Sequence, residues 1–451
     1  MSFDGLRIGT SGIAAAQRAV ETTAHNLANV NTDGYSRQRV ETSTAMARVD
    51  HRGLLGPGAT GQGVVIDGIT RATDDLLASN LRDQMAARSS WEARADYTSR
   101  AEGILGPLEG GMSSALSSFW NSWEALSTDP EGMTARTAVV EAGRQVATSL
   151  NDAAARLDRL EGDTVADMTA TVAEINDLAG NVAALNGQIA AARSSGNNAL
   201  DLLNQRDLTV RHLTELTGAR ATTDANGDMR VSIAGMPLVQ GNSNTPLAVA
   251  PTPTRVVWPD GSAAAPAGRL GALNEIVGAE ISSLRGRIDE IAIELSDLVN
   301  TAHRAGFGLD GAAGRDFFVG TDATTLRIDP ALEPAMVAAS ASGAPADGNH
   351  ALEMGGLRNA ATSTGATVND LFNSVQGLLG LRSAEAARQE RMSGAIVDEL
   401  STQLSATIGV STDVELTDML RYQRAYEASA RVITVVDQML DRLINGTGAT
   451  R

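Results

Sequence analysis

The residues that could carry reaction chemistry are few and scattered. Five histidines, His25, His51, His212, His303 and His350, show no pair at the i, i+3 or i+4 spacing that sets two ring nitrogens on one helix face for a metal. Asp224, Asn226 and Asp228 fall at positions one, three and five of a calcium loop. Such a loop needs Gly at position six and a bidentate Glu at twelve; here stand Met229 and Gly235, which leaves an acidic turn. Gly56, Gly58 and Gly61 spell a dinucleotide pattern by letter, but the strand-like Val64-Val65-Ile66 follows where a strand should precede. No serine lies in a G-x-S-x-G elbow.

Composition removes further classes. There is no cysteine, which excludes disulfides, thiol nucleophiles and thiolate metal sites. All 36 basic residues are arginine, so Schiff-base chemistry and the phosphate-loop lysine are absent too. Phe119-Trp120-Asn121-Ser122-Trp123 has no neighbouring basic residues to make it a base-stacking platform and reads as helix core. A net charge of -18 argues against nucleic acid and anionic membranes. No enzyme, metal or cofactor is expected.

The elements are more informative. Leu6, Ile13, Val20 and Leu27 recur every seven residues, interleaved three positions later by Gly9, Ala16, Thr23 and Val30. Near the other end Met419, Tyr426, Ile433 and Leu440 do the same, interleaved by Tyr422, Ser429, Val436 and Leu443. A seven-residue apolar repeat is a seam for a partner helix. Two such seams predict packing of end against end, or against neighbouring copies; a helical hairpin inside an ordinary globular domain is the plainer alternative.

The first helix is expected over 2–30, stopped by Asn29-Val30-Asn31-Thr32-Asp33-Gly34. An extended stretch over 35–40, a glycine-rich loop over 53–63 and a helix over 73–102 follow. Helical pattern fills 112–216 with a break at Asp129-Pro130, and strand and turn signals take over between 218 and 268. A helix over 270–303, a short strand at 326–328 and helices over 386–408 and 413–444 complete the chain. The tail Asn445-Gly446-Thr447-Gly448 is expected to fray. No apolar run reaches membrane-helix length and no cleavable signal opens the chain, so it is expected in the cytoplasm or leaving by a route that reads none. The expected fold is mainly α: a long helical bundle with paired terminal coiled-coil helices and a small inserted β-rich domain. Its parts are 1–50 with 405–451, then 51–217 with 269–404, and the insertion 218–268.

Ala28-Asn29-Val30-Asn31-Thr32-Asp33-Gly34-Tyr35 resembles the N-terminal signature of bacterial flagellar axial proteins. The following Ser36-Arg37-Gln38 is similar to the hook-associated protein 1 family, and Leu420 to Ile433 with Asp437-Gln438-Met439-Leu440 resembles that family's closing helix. Gly61 to Arg71, Asp129 to Arg136, Gly268 to Gly271 and Gly311 to Phe318 fall in matching order. The resemblance implies a building block of the hook–filament junction, exported unfolded by the flagellar type III apparatus, with termini disordered until they assemble. Implied partners are copies of itself, hook protein, a second hook-associated junction protein and an export chaperone on the C-terminal helix. The expected assembly interface comprises Leu6, Ile13, Val20, Leu27, Asn29, Asn31, Thr32, Gly34 and Tyr35, with Met419, Tyr422, Tyr426, Ile433, Val436, Leu440 and Leu443. A rod or hook axial subunit, a secreted enzyme on similar ends, and a cytosolic scaffold are the rival readings.

Overall fold

The computed structural model describes residues 2–46, 61–105, 111–224 and 227–446, with side chains of the terminal helices from Asp4 to Arg442. Gly56, Gly58, His51, Asn226 and residues 447–448 lie outside the described residues, as does the side chain of Leu443. The helices are α1 (Ser2–Ala28), α2 (Asp75–Leu105), α3 (Met112–Thr128), α4 (Met133–Ser194), α5 (Leu200–Thr217), α6 (Gly268–Glu275), α7 (Ile281–His303), α8 (Asn349–Gly356), α9 (Val368–Ile408) and α10 (Thr412–Gly446). The strands are short: β1 (Gln38–Thr44), β2 (Val64–Arg71), β3 (Arg220–Thr223), β4 (Met229–Ile233), β5 (Met236–Gln240), β6 (Ser243–Asn244), β7 (Ala248–Pro251), β8 (Thr254–Val257), β9 (Phe318–Val319) and β10 (Arg327–Ile328). The chain is mainly α, with long terminal helices and small sheets.

It divides into two compact units. The first comprises Met1–Met85, Asn176–Thr245 and Gly394–Arg451; the second comprises Ala86–Ile175 and Pro246–Ser393. In the first, β1 and β2 pair antiparallel from Gln38↔Arg71 to Thr44↔Val64, with a bulge after Glu41. A four-stranded antiparallel sheet, β3-β4-β5-β6, is tied to α4 through Asn186. The Asn186 amide donates to the carbonyls of Met229 and Gly241 at 2.8 Å each, and its oxygen accepts from Met229 N at 3.1 Å and from Arg206 at 3.0 Å. The 218–268 stretch also supplies the β7–β8 hairpin, which belongs to the second unit.

The second unit holds the large core. α3 buries Ala115, Leu116, Phe119, Trp120, Trp123 and Leu126, a helical stripe of three- and four-residue steps. Phe119 packs on Phe317 and Phe318 with ring centroids 5.5 and 5.8 Å apart. Buried Asn300 fixes that aromatic pair by accepting from Phe317 N and Phe318 N and donating to Phe318 O. Buried His303 donates from Nδ1 to Arg315 O at 2.8 Å and accepts the Ala338 N–H at Nε2 at 3.0 Å, which fixes a neutral ring.

Three elements differ from the sequence expectation. α9 begins at Val368, not 386, because Thr367 and Asp370 cap each other: the Asp370 N–H donates to the Thr367 hydroxyl at 3.1 Å while Thr367 N donates to the Asp370 carboxylate at 3.2 Å. The helix over 270–303 is interrupted by a π turn at Ile276–Glu280. The short helix α8 falls where no element was expected.

Candidate assembly site at the paired terminal helices

α1 and α10 run antiparallel and in close register. A methyl group placed on Gly5 would stand 3.0 Å from Val436 Cγ2, one on Gly9 2.6 Å from Ile433 Cγ1, and one on Gly12 2.6 Å from Ser429 Oγ. Climbing α1 descends α10 turn for turn. At Gly9 and Gly12 the helices approach more closely than any Cβ would allow.

The contact face centres on the small members of the expected seam rather than on its large ones. Its buried centre on α1 is Gly9, Ala16, Ala19, Thr22, Thr23 and Asn26, while Leu6, Ile13, Val20 and Leu27 are half-buried flanks. On α10, Met419, Tyr422, Ile433, Val436 and Leu440 are half-buried. Tyr426 is 43% exposed, and so are Leu416, Leu420, Val432, Val435 and Met439 to a similar or greater degree. The reason is geometric: the interleaved small positions let the backbones close, which rotates the contact off the larger side chains and leaves much of α10's apolar surface in water.

A polar clasp closes the base of the pair. After α1, Asn29 donates to His25 O at 3.0 Å and accepts from the Thr32 hydroxyl at 3.2 Å, so its side chain caps the helix end. Thr32 N donates to Asn29 O and Tyr35 N to Thr32 O, winding the chain back; Asn31 stays exposed. Gly34 takes φ 74°, the left-handed conformation the turn needs, and a Cβ there would meet Leu208 at 3.1 Å.

That turn delivers Tyr35 and Gln38 to one buried amide and Arg37 to the carboxylates beside it. Asn26, 1% exposed, accepts from the Tyr35 hydroxyl at 2.8 Å and from Gln38 N at 2.9 Å. It donates to Gln38 O at 2.9 Å and to the Glu415 carboxylate at 3.0 Å. Glu415, also 1% exposed, accepts from Arg37 Nε at 2.6 Å, and Arg37 Nη2 donates to Asp418 at 3.0 Å. Arg37 N further donates to Ile408 O, just before α10. Burial, reinforced by the negative charges of Asp201 and Glu415, pushes the Tyr35 phenol well above its usual pKa and keeps it a neutral donor.

Of the sequence-expected residues, the turn Asn29, Thr32, Gly34 and Tyr35 lies at this clasp and the half-buried seam residues lie along the pair. Asn26, Arg37, Glu415 and Asp418 were missed as site residues. Their signal was faint: polar residues at 22, 23 and 26 on one helix face, and a carboxylate in the first turn of α10.

Among the described residues no three metal-ligating side chains converge, and no helix is long and apolar enough to cross a membrane. A larger cavity of about 550 Å³ beside α5 is lined by Arg71, Arg82, Arg206 and Arg211 against Asp33, Asp74, Asp75 and Asp207. Arg71 meets Asp207 at 2.6 Å. Equal numbers of opposite charges give that cavity no net pull on a charged ligand.

Comparisons with known proteins agree with this anatomy. The family model described as flagella basal body rod protein matches residues 6–35, and that of the flagellar basal body rod FlgEFG protein C-terminal matches 406–446. Between them, the flagellar hook-associated protein FlgK helical domain matches 98–318. Flagellar hook-associated protein 1 of Bacillus subtilis is 28% identical over 99% of both chains, and that of Escherichia coli 24% identical over 96% of this chain and 98% of the relative. The protein of the same name from Salmonella typhimurium is 30% identical over 68% of this chain and 58% of its own length. The solved structure of the flagellar hook junction protein FlgK from Burkholderia pseudomallei superposes with a TM-score of 0.62 over 74% of this chain and all of that one. At 15% identity that likeness speaks for the fold. The chain belongs to the flagellar hook-associated protein 1 family.

Proposed function

We propose that this chain is a structural, non-enzymatic subunit of the bacterial flagellum at the junction of hook and filament, and that it assembles through α1 and α10. The observation that carries this reading is the division of labour on α10. One face meets α1 through small and half-buried side chains, and the other leaves Leu416, Leu420, Val432, Val435 and Met439 in water. An apolar row of that kind on a helix calls for further partners.

In this reading the α1 and α10 sequences stay disordered in the isolated subunit, since a seam helix draws its stability from packing. The partners are copies of itself in a ring, hook protein on one side and a second hook-associated protein on the other. The subunit leaves the cell unfolded through the flagellar type III apparatus, with an export chaperone covering the α10 row beforehand. The interface comprises the half-buried seam residues, the clasp turn, and Tyr426, 43% exposed in the same seam; Leu443 is proposed with them on sequence spacing alone.

Immunogold electron microscopy of detached flagella, with antibody against residues 100–400, tests the placement. A narrow band where hook meets filament is expected. Label along the whole hook would move the chain to a hook or rod subunit. A truncation after residue 410 is expected to abolish incorporation, and an incorporated truncate would remove α10 from the assembly role.

A further inference from the structure

The α1–α10 pair carries free donors at one end and free carboxylates at the other. At the base a notch of about 220 Å³ opens between α1, β1 and α10. Arg37 is already engaged there by Glu415 and Asp418. Arg39, Arg421 and the Tyr422 hydroxyl also line it, and none of the three has a hydrogen-bond or ion-pair partner among the described residues. In the wall, Thr23 is 4% exposed, and its hydroxyl has no partner either. Two guanidiniums and two hydroxyls without a partner among the described residues ring this notch and form a receptor for carboxylate oxygens.

The matching group lies at the opposite end of the same pair. Asp4 precedes Gly5 and Asp437 follows Val436 in sequence, and a methyl group on Gly5 would stand 3.0 Å from Val436 Cγ2. Both aspartates are exposed and neither has a partner among the described residues. Residues 421 and 437 stand about 24 Å apart along α10, so a chain cannot fill its own notch.

Resting on the assembly role proposed above, we infer that this notch receives Asp4 and Asp437 of a second copy, joining pair to pair head to tail. Such a contact is heterologous: each copy offers one end and accepts at the other, as a ring or helical array requires. It also explains how chains of net charge -18 meet, since two guanidiniums without an ion-pair partner among the described residues attract what the rest of the surface repels.

The chain has no cysteine, so an introduced pair reports cleanly. Flagella carrying Asp437→Cys together with Arg421→Cys are detached, oxidised and resolved on a denaturing gel. The two positions lie far beyond the roughly 7 Å that one disulfide spans within a chain. A ladder of dimer, trimer and higher multiples is expected, with nothing beyond dimer from either single variant. Monomer alone, from flagella that immunogold shows to carry the protein at the junction, overturns the inference and leaves the junction reading standing. Absence of the unaltered chain from the appendage would instead overturn that reading.

Should the two-cysteine chain not be incorporated, charge exchange decides. Arg39→Glu with Arg421→Glu is expected to lower the amount recovered in flagella about tenfold, since like charges across an interface cost well over the ~1.4 kcal/mol that this represents. Adding Asp4→Arg and Asp437→Arg to the same chain is expected to restore it. No restoration overturns the inference.

Discussion

The second unit and the α1–α10 pair solve the same problem, holding helices together, in opposite ways. In the second unit Phe119, Trp120, Trp123, Phe317 and Phe318 are each at most 1% exposed and pack ring against ring. The pair buries glycine, alanine, threonine, asparagine and one glutamate, while its large apolar side chains stand half or fully in water. At about 25 cal/mol per Å² of apolar surface buried, the first arrangement stabilises itself and the second depends on company. The second unit is a finished core, and the pair leaves apolar surface uncovered.

The sharpest break in that contrast is Phe119→Ala. A fully buried aromatic truncated to a methyl costs about 3–5 kcal/mol, and denaturant unfolding of the second unit should show a loss of that size. A loss under 1 kcal/mol would mean the core is not the source of its stability.

Acid comes next. Burial, the largest cause, pushes the His303 pKa down to about 4 from the usual 6.5, because protonation would strand a charge and cancel acceptance of the Ala338 N–H. The unfolded chain therefore takes up this proton first. Stability from this residue is intact above about pH 6.5 and falls as pH drops toward 4, by roughly 3 kcal/mol in all. Replacing His303 by Gln should flatten that part of the pH–stability curve, which thermal melts between pH 7 and 4 would reveal.

Asn26→Ala strands Glu415, Tyr35 and the Gln38 backbone without a shared partner, at about 1–3 kcal/mol. Amide exchange should quicken in α1 and α10 in assembled material while α3 and α7 keep their protection. Leu420→Ser tests the other side. At 58% exposure it should shift the chain's own stability by less than about 0.5 kcal/mol yet reduce incorporation into flagella. Unchanged incorporation would show that α10's outer face is idle.

How much of this was legible in the sequence follows the same divide. Where burial is made by large apolar residues the pattern is plain: the Phe119–Trp123 cluster reads as helix core and its aromatic rings are buried. Where burial is made by glycine, alanine and threonine, hydrophobic periodicity finds the seam but not which of its members sit at the centre. That is why Leu6, Ile13, Val20 and Leu27 drew notice while Gly9, Ala16 and Thr23 take the centre. The Asn26–Glu415 bond spans 389 residues, a separation no local spacing encodes. The early start of α9 was hidden by Gly377 and Gly380, which depress helix propensity inside a helix that tertiary packing nonetheless sustains.

The antiparallel register of α1 and α10 also ties folding to the order in which a chain is made. Gly5 is made long before Val436, yet each lies against the other. Every residue between them must exist before that contact can close, the longest loop closure this chain has to pay. A fragment broken off before α10 therefore displays an α1 without its partner helix.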